Sequence, residues 1–224
     1  MTLHPSKEDS KTHITTLGIV LKSSPIGEYD RRVVVLTKEL GKISAFARGA
    51  RRPTSSLLAA TGPFVFGEFT FFAGRDSYTL TECRIEHAFS DLSRDVTKAC
   101  YGSYFLEFMD YLTREGMDET LPLLLTYASL RALERDRISE RLIQSVFELR
   151  LIMLEGEWRD IPEANLLPGT LRALSHIQES DLSRLYSFTV NDTVLKELVA
   201  LSEKLRSRVF PHDFSSLRIL KALQ

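Results

Sequence analysis

Hydrophobic positions change their period once along the chain. Before about residue 85 they come in short runs bounded by turn residues, and from about residue 90 they recur at helical spacing. Residues 17–21 form an apolar run that leads into the turn-rich Ser23-Ser24-Pro25-Ile26-Gly27. Residues 32–37 contain Val33-Val34-Val35-Leu36, a β-branched stretch suited to burial on both faces. Lys38-Glu39-Leu40-Gly41 supplies a tight connection, with Gly41 available for positive φ. Residues 42–48 then alternate, Ile43, Ala45 and Ala47 on one face and Lys42, Ser44, Phe46 and Arg48 on the other. Residues 64–72 are aromatic at alternate positions until the phase slips near Gly67, as at a β-bulge. Gly74-Arg75-Asp76-Ser77 turns the chain into a last strand at 78–85. These short strands and glycine turns predict a small barrel. An OB-fold fits, with an SH3-like barrel as the other topology the pattern allows.

In the helical part, Asp91 is the expected N-cap of a helix running to about Glu115, with Gly116 just beyond it. Its apolar residues fall on nearly every face, which places it at the centre of a helical cluster. Helices are expected at 120–135, at 139–154 with Ser139 as cap and Gly156 as stop, and, after Pro162 and Pro168, at 169–178, 192–208 and 215–223. The expected architecture is α+β and multidomain. An OB-fold-like β-barrel occupies residues 1–85, with 1–14 as a disordered lead-in, and an α-helical domain occupies 86–224.

Composition changes this picture little. Of 224 residues, 43% are hydrophobic and 26% charged, enough to bury a core without covalent staples. The two cysteines, Cys83 and Cys100, form no CxxC pair, which argues against a disulfide framework or a cysteine-rich zinc site and fits a reducing cytoplasm. The N-terminal stretch has no apolar core of a signal peptide, and no apolar run is long enough to cross a bilayer, so the expected location is cytoplasmic. The net charge of −1 hides an asymmetry: residues 1–80 hold 11 Lys and Arg against 7 Asp and Glu, and residues 81–224 hold 18 against 23.

Enzyme signatures are missing, so no catalytic residue, metal ligand or cofactor is expected. There is no phosphate loop, no GxGxxG after a strand, no HExxH and no GxSxG, and the five histidines are scattered. Acidic pairs such as Asp91 with Asp95, or Asp118 with Glu119, sit where caps and turns put them, which leaves a nuclease as a weak rival. The cations of the β-half are more informative. Lys42, Phe46 and Arg48 place two cations beside an aromatic ring, and Arg31 and Arg32 fall on the paired strand. Arg48-Gly49-Ala50-Arg51-Arg52-Pro53 carries the basic stripe into a loop. Such a surface suits single-stranded nucleic acid, cations tracking phosphates while an aromatic face accepts a base. Pattern alone leaves a second reading open: Phe46 is packed away, the arginines are solvated, residues 48–61 are a mobile connection, and the protein is an interaction adaptor without DNA affinity. The last helices carry Lys204, Arg206, Arg208, Arg218 and Lys221 beside an apolar stripe, a candidate groove for an acidic peptide with a hydrophobic end.

These residues resemble the RecO family of recombination mediators. The resemblance is carried by Gly18-Ile19-Val20-Leu21-Lys22, Gly27-Glu28-Tyr29-Asp30, Val33 to Thr37 and Leu40-Gly41-Lys42. Most of all it is carried by Ala47-Arg48-Gly49-Ala50-Arg51-Arg52 followed by Gly62-Pro63-Phe64, where Thr61 stands in place of the family's leucine. Arg218-Ile219-Leu220 resembles a degenerate form of the family's C-terminal lysine, serine and leucine segment. The resemblance implies a protein of DNA repair and recombination, active after DNA damage, that binds single- and double-stranded DNA and anneals complementary strands. With RecR it would help RecA load onto DNA coated by single-strand-binding protein (SSB), whose acidic tail it would contact. Matching positions assign DNA contact to Arg48, Arg51 and Arg52; the tail contact has Lys204, Arg206 and Arg208 as candidates. Many relatives carry a four-cysteine zinc module before the C-terminal helices. Here residues 155–163 hold no cysteine, so the chain resembles a zinc-free variant.

Overall fold

The computed structural model describes residues 12–158 and 165–223. Its first compact unit runs to Ala88 and also takes in Arg114–Asp118; the second holds Phe89–Thr113 and the chain from Glu119 onward.

The first unit is built on β1 (Thr12–Ile26), β2 (Asp30–Thr37), β3 (Lys42–Ala47), β4 (Phe66–Ala73) and β5 (Tyr78–His87), with a short helix α1 (Leu57–Ala60) in the β3–β4 connection. The strands close into a barrel in the order β1-β2-β3-β5-β4, an OB-like arrangement. Closure comes from the parallel contact of β3 with β5, at Ala45↔Tyr78 and Phe46↔Thr79. Inside lie Val33, Val35, Ile43, Ala45, Ala47, Phe69, Phe71 and Leu80. Gly18 and Gly67 face each other across β1 and β4. A Cβ on Gly18 would lie 2.8 Å from the Leu36 carbonyl, and one on Gly67 2.3 Å from that of Arg84. Gly67 also marks a register shift against β5, the bulge expected from the aromatic phase slip.

β1 is longer than the apolar run at 17–21. Residues 23–26, read from sequence as a turn, pair with residues 30–33 of β2, and the turn is Gly27-Glu28-Tyr29 with Gly27 at φ +54. That strand end is mostly exposed, so nothing selects apolar residues there. Thr12, His13 and Ile14, assigned to a disordered lead-in, pair with β4; residues 1–11 of that lead-in lie outside the described residues.

The second unit contains α2 (Val96–Leu112), α3 (Thr120–Glu134), α4 (Glu140–Leu154), α5 (Pro168–Glu179), α6 (Asp192–Val209) and α7 (Ser215–Leu223). Ser139 caps α4 as expected, accepting from the Leu142 amide. The cap of α2 is Asp95, which accepts from the Lys98 amide at 3.1 Å, and not Asp91. Asp91 sits in a preceding 3-10 turn and pairs with Arg94. The far end also differs from expectation. Lys42 N–H donates to the Arg114 carbonyl and Gly116 N–H to the Leu40 carbonyl, each at 2.9 Å, so residues 114–118 extend the β2–β3 hairpin and do not continue the helix.

Around α2 the aromatic rings interlock. Phe105 meets Phe147 with centroids 4.3 Å apart, and Phe108 lies 5.0 Å from Phe210 and 4.7 Å from Phe214. Glu107 accepts from the amides and hydroxyls of Ser215 and Ser216 and so caps α7. Burial pushes its carboxyl up, but these bonds outweigh it and hold the group below the usual carboxylate range. Deeper in the unit Glu148 is fully buried; its Oε1 accepts from Tyr104 at 2.6 Å and Gln144 at 2.8 Å and lies 3.2 Å from Arg206 Nε. Burial raises the Glu148 carboxyl above its ordinary value, while the Arg206 charge and these hydrogen bonds pull the other way. None of the described helices is long and apolar enough to cross a membrane.

Two substitutions test this framework by urea unfolding. Gly41 has φ +68, and a Cβ there would come within 2.0 Å of the Arg114 carbonyl. Gly41→Ala should therefore destabilise the barrel by about 2 kcal/mol or more; an unchanged midpoint would show the 114–118 contact to be dispensable. Glu148→Ala strands the buried Arg206 charge and should cost about 3–5 kcal/mol. Replacing both residues with Met should recover most of that loss, and a double variant as unstable as the single would remove the ion pair as the cause.

Candidate nucleic-acid interface

The β2–β3 ladder decides what the barrel shows outside. Period-two alternation and a narrow interior send Ile43, Ala45 and Ala47 inward, all essentially buried. Phe46 consequently points outward and keeps 41% of its surface exposed, although a ring of this size is ordinarily covered. Its cross-strand partner is Arg32, whose Nε donates to Ser44 Oγ at 2.7 Å. This bond holds the guanidinium along β3 at Ser44. Arg48, just past the end of β3, is exposed and has no hydrogen bond or ion pair among the described residues. Lys42, at the other end of the strand, is half-buried.

The basic loop after β3 is a packed element. Asp30 accepts from the Gly49 amide at 2.7 Å, and the Arg51 amide donates to the Tyr29 carbonyl at 2.8 Å. The Arg51 guanidinium donates to the carbonyls of Gly27 and Glu28 at 3.2 and 3.0 Å, tying the loop to the β1–β2 turn. Arg52 lies over the Tyr29 ring, 5.0 Å from its centroid. Ala50, Leu57, Ala60 and Thr61 are buried beneath, and the Thr61 hydroxyl donates to the Leu57 carbonyl at 2.8 Å. This packing replaces the reading of 48–61 as a loose connection; the small Ser and Ala residues reflect tight turns and a short helix. Arg31 differs from its neighbours. It is half-buried, and it donates to the Thr61 carbonyl at 3.3 Å and Ser23 Oγ at 3.4 Å.

The structure thus brings Arg32, Phe46, Arg48, Arg51 and Arg52 onto neighbouring parts of one ladder and its loop. Two of these side chains also serve the fold, since Arg51 bonds two carbonyls and Arg52 stacks. Tyr29 was missed as a member of this group. Nothing in its local sequence announces that the loop twenty residues later will seat an arginine on it.

In the helical unit one assignment is corrected. Arg206 was a candidate cation for an acidic peptide, yet only 7% of its side chain is exposed and it faces Glu148. Lys204 and Arg208 are exposed, and Arg208 is engaged in contacts. The same unit has an open groove of about 400 Å3 between α5 and α6, lined by Arg172, His176, Phe188 and Val194 among others. No group of three or more His, Cys, Asp or Glu is arranged to hold a metal among the described residues. Cys83 is a half-buried strand residue whose thiol burial pushes up to about 12, and Cys100 lies in α2.

Comparison with known proteins agrees with this architecture. The family model described as "Recombination protein O N terminal" matches residues 12–89, and "Recombination protein O C terminal" matches 93–156. A "DNA repair protein RecO" of Acetivibrio thermocellus is 29% identical over 244 residues, covering 94% of this chain and 97% of its own length. That of Clostridium perfringens is 24% identical, covering 92% and 97%. That of Alkaliphilus metalliredigens is 36% identical over 143 residues, a region spanning 64% of this chain and 58% of the relative. With both domain models matched in chain order, this chain belongs to the RecO family of DNA repair proteins.

Proposed function

We propose that the chain is a recombination mediator that binds single- and double-stranded DNA on the outer face of β2 and β3 and anneals complementary strands. With RecR it would help RecA load onto SSB-coated DNA in the cytoplasm. The observation that carries this reading is the exposed Phe46 ring with Arg32 directly opposite and Arg48 two positions along. Cations at that spacing neutralise phosphates without reading sequence, and the ring offers a π-face to any base. Held this way, a strand keeps its hydrogen-bonding edges free for a second strand. Phosphate contacts that exchange with salt ions let the duplex, once zipped, move away.

No covalent step is assigned to any residue in this reading. The protein would act by holding and presenting, and turnover of DNA bonds is not part of its role. For the SSB tail we favour the α5–α6 groove over Lys204, Arg206 and Arg208. Arg206 is engaged inside, whereas the exposed Arg172 borders a concavity of mixed lining, with Phe188 and Val194 beside Thr189 and Asn191, that would take an acidic segment with a hydrophobic end.

A salt titration of binding to fluorescent oligo-dT tests the site. Wild type should bind at low salt, with affinity falling as salt rises. Arg32→Ala/Arg48→Ala should bind more weakly, with the slope of log affinity against log salt reduced by about 1–2. Both side chains lie on the surface, so the variant should keep the wild-type thermal midpoint. Equal binding by the two proteins would move the site elsewhere. Absence of binding by wild type at low salt would overturn the DNA-binding reading in favour of an adaptor.

A further inference from the structure

The barrel unit carries a second exposed ring, in the β1–β2 turn. Tyr29 closes the β1–β2 turn, and 42% of its surface is exposed. Its carbonyl accepts the Arg51 amide at 2.8 Å, so the backbone is held. Arg52 lies over the ring, 5.0 Å from the centroid. Tyr29 stands three positions before Arg32, the cross-strand partner of Phe46.

We infer that Tyr29 is a second base-stacking position for single-stranded nucleic acid, so that the strand runs from Phe46 across the β2–β3 ladder to the β1–β2 turn. The inference rests on the DNA-binding reading above and goes further, giving the strand a path and a second contact. Both positions offer an exposed ring on a backbone anchored by neighbouring chain, and at Tyr29 an arginine lies over the ring. Arg52 covers one face of Tyr29, leaving the rest of the ring for a base. The flanking carboxylates Glu28 and Asp30 oppose a phosphate; Asp30 already accepts the Gly49 amide. The contact at Tyr29 is therefore to a base and not to the backbone, which makes it separable from the salt-dependent site.

The test compares oligo-dT with an abasic strand of the same length and phosphate charge, using full-length wild type, Tyr29→Ala and Tyr29→Phe. Tyr29→Ala should lose about five- to a hundredfold in affinity for oligo-dT and nothing for the abasic strand, with the salt slope unchanged. Tyr29→Phe, which keeps the π-face, should bind oligo-dT like wild type. Equal loss on both strands would overturn the inference, showing that the ring serves only to seat Arg52. Unchanged oligo-dT binding by Tyr29→Ala would overturn it too, while leaving the Arg32 and Arg48 site intact. Because a fold defect would also weaken both strands, Tyr29→Trp offers a second readout. Its fluorescence in a Trp158→Phe background should be quenched by oligo-dT and not by the abasic strand, and no quenching by either would sink the proposal.

Discussion

Closure of a narrow barrel is the constraint from which the rest of the β-unit follows. Five strands leave little interior volume, and Phe69 and Phe71 already occupy much of it. The inward positions of β3 must then be small, and Ala45 and Ala47 are. Strand parity does the remainder. With the alanines inside, Phe46 has no inward position available, and a slip of one residue would bury the ring while exposing Ile43 and the alanines. Gly18 and Gly67 belong to the same constraint. The backbones around them approach so closely that any side chain would strike a carbonyl, and this permits the sharp coil of β1 and β4. The exposed ring is thus a consequence of how the barrel closes.

The arginines divide between two tasks. Arg51 uses its guanidinium on the carbonyls of the β1–β2 turn, and Arg31 reaches the carbonyl that ends the following loop. These bonds, the Asp30 cap on Gly49 and the buried Ala50, Leu57 and Thr61 fix the loop before any ligand arrives. A loop already ordered loses little conformational freedom on binding, so weak individual contacts count for more. Arg48 is left with its full charge toward solvent. Neutralising every one of these cations together would confuse a folding effect with a binding effect, and for that reason Arg32 and Arg48 are the informative pair.

Much of this was legible in the sequence, and the parts that were not share a cause. The five strands, the alternation of β3, the bulge at Gly67 and the positive φ of Gly41 follow from local pattern, because pleat and turn chemistry are local. The start of α2 was misjudged between two aspartates four residues apart, each a competent cap; only the geometry of the 3-10 turn separates Asp91 from Asp95. The return of residues 114–118 to the β2–β3 hairpin depends on backbone hydrogen bonds that no side-chain pattern encodes. Arg206 was a different kind of miss, since its signal was present. It follows Ser202 by one helical turn, on the same stripe as Leu198 and Leu205, and a charge on an apolar stripe requires a buried partner. Glu148 sits the same way on α4, one turn after Gln144, and the two misplaced charges account for each other.

A chain of net charge −1 is an unpromising ligand for a polyanion if charge alone is considered, and this bears on how the proposed role would work. Non-specific phosphate binding scales with the number of cations engaged, and only a few arginines here face solvent on the ladder and its loop. Stacking supplies the complementary part. It is insensitive to net charge, tolerant of sequence and available only from unpaired bases, so it favours single strands over duplex at equal phosphate density. A surface that holds single strands by stacking and duplex by few charges releases its product when the strands pair. For an annealing protein, sparse cations beside exposed rings are then better suited than a strongly basic cleft, which would retain the duplex it had formed.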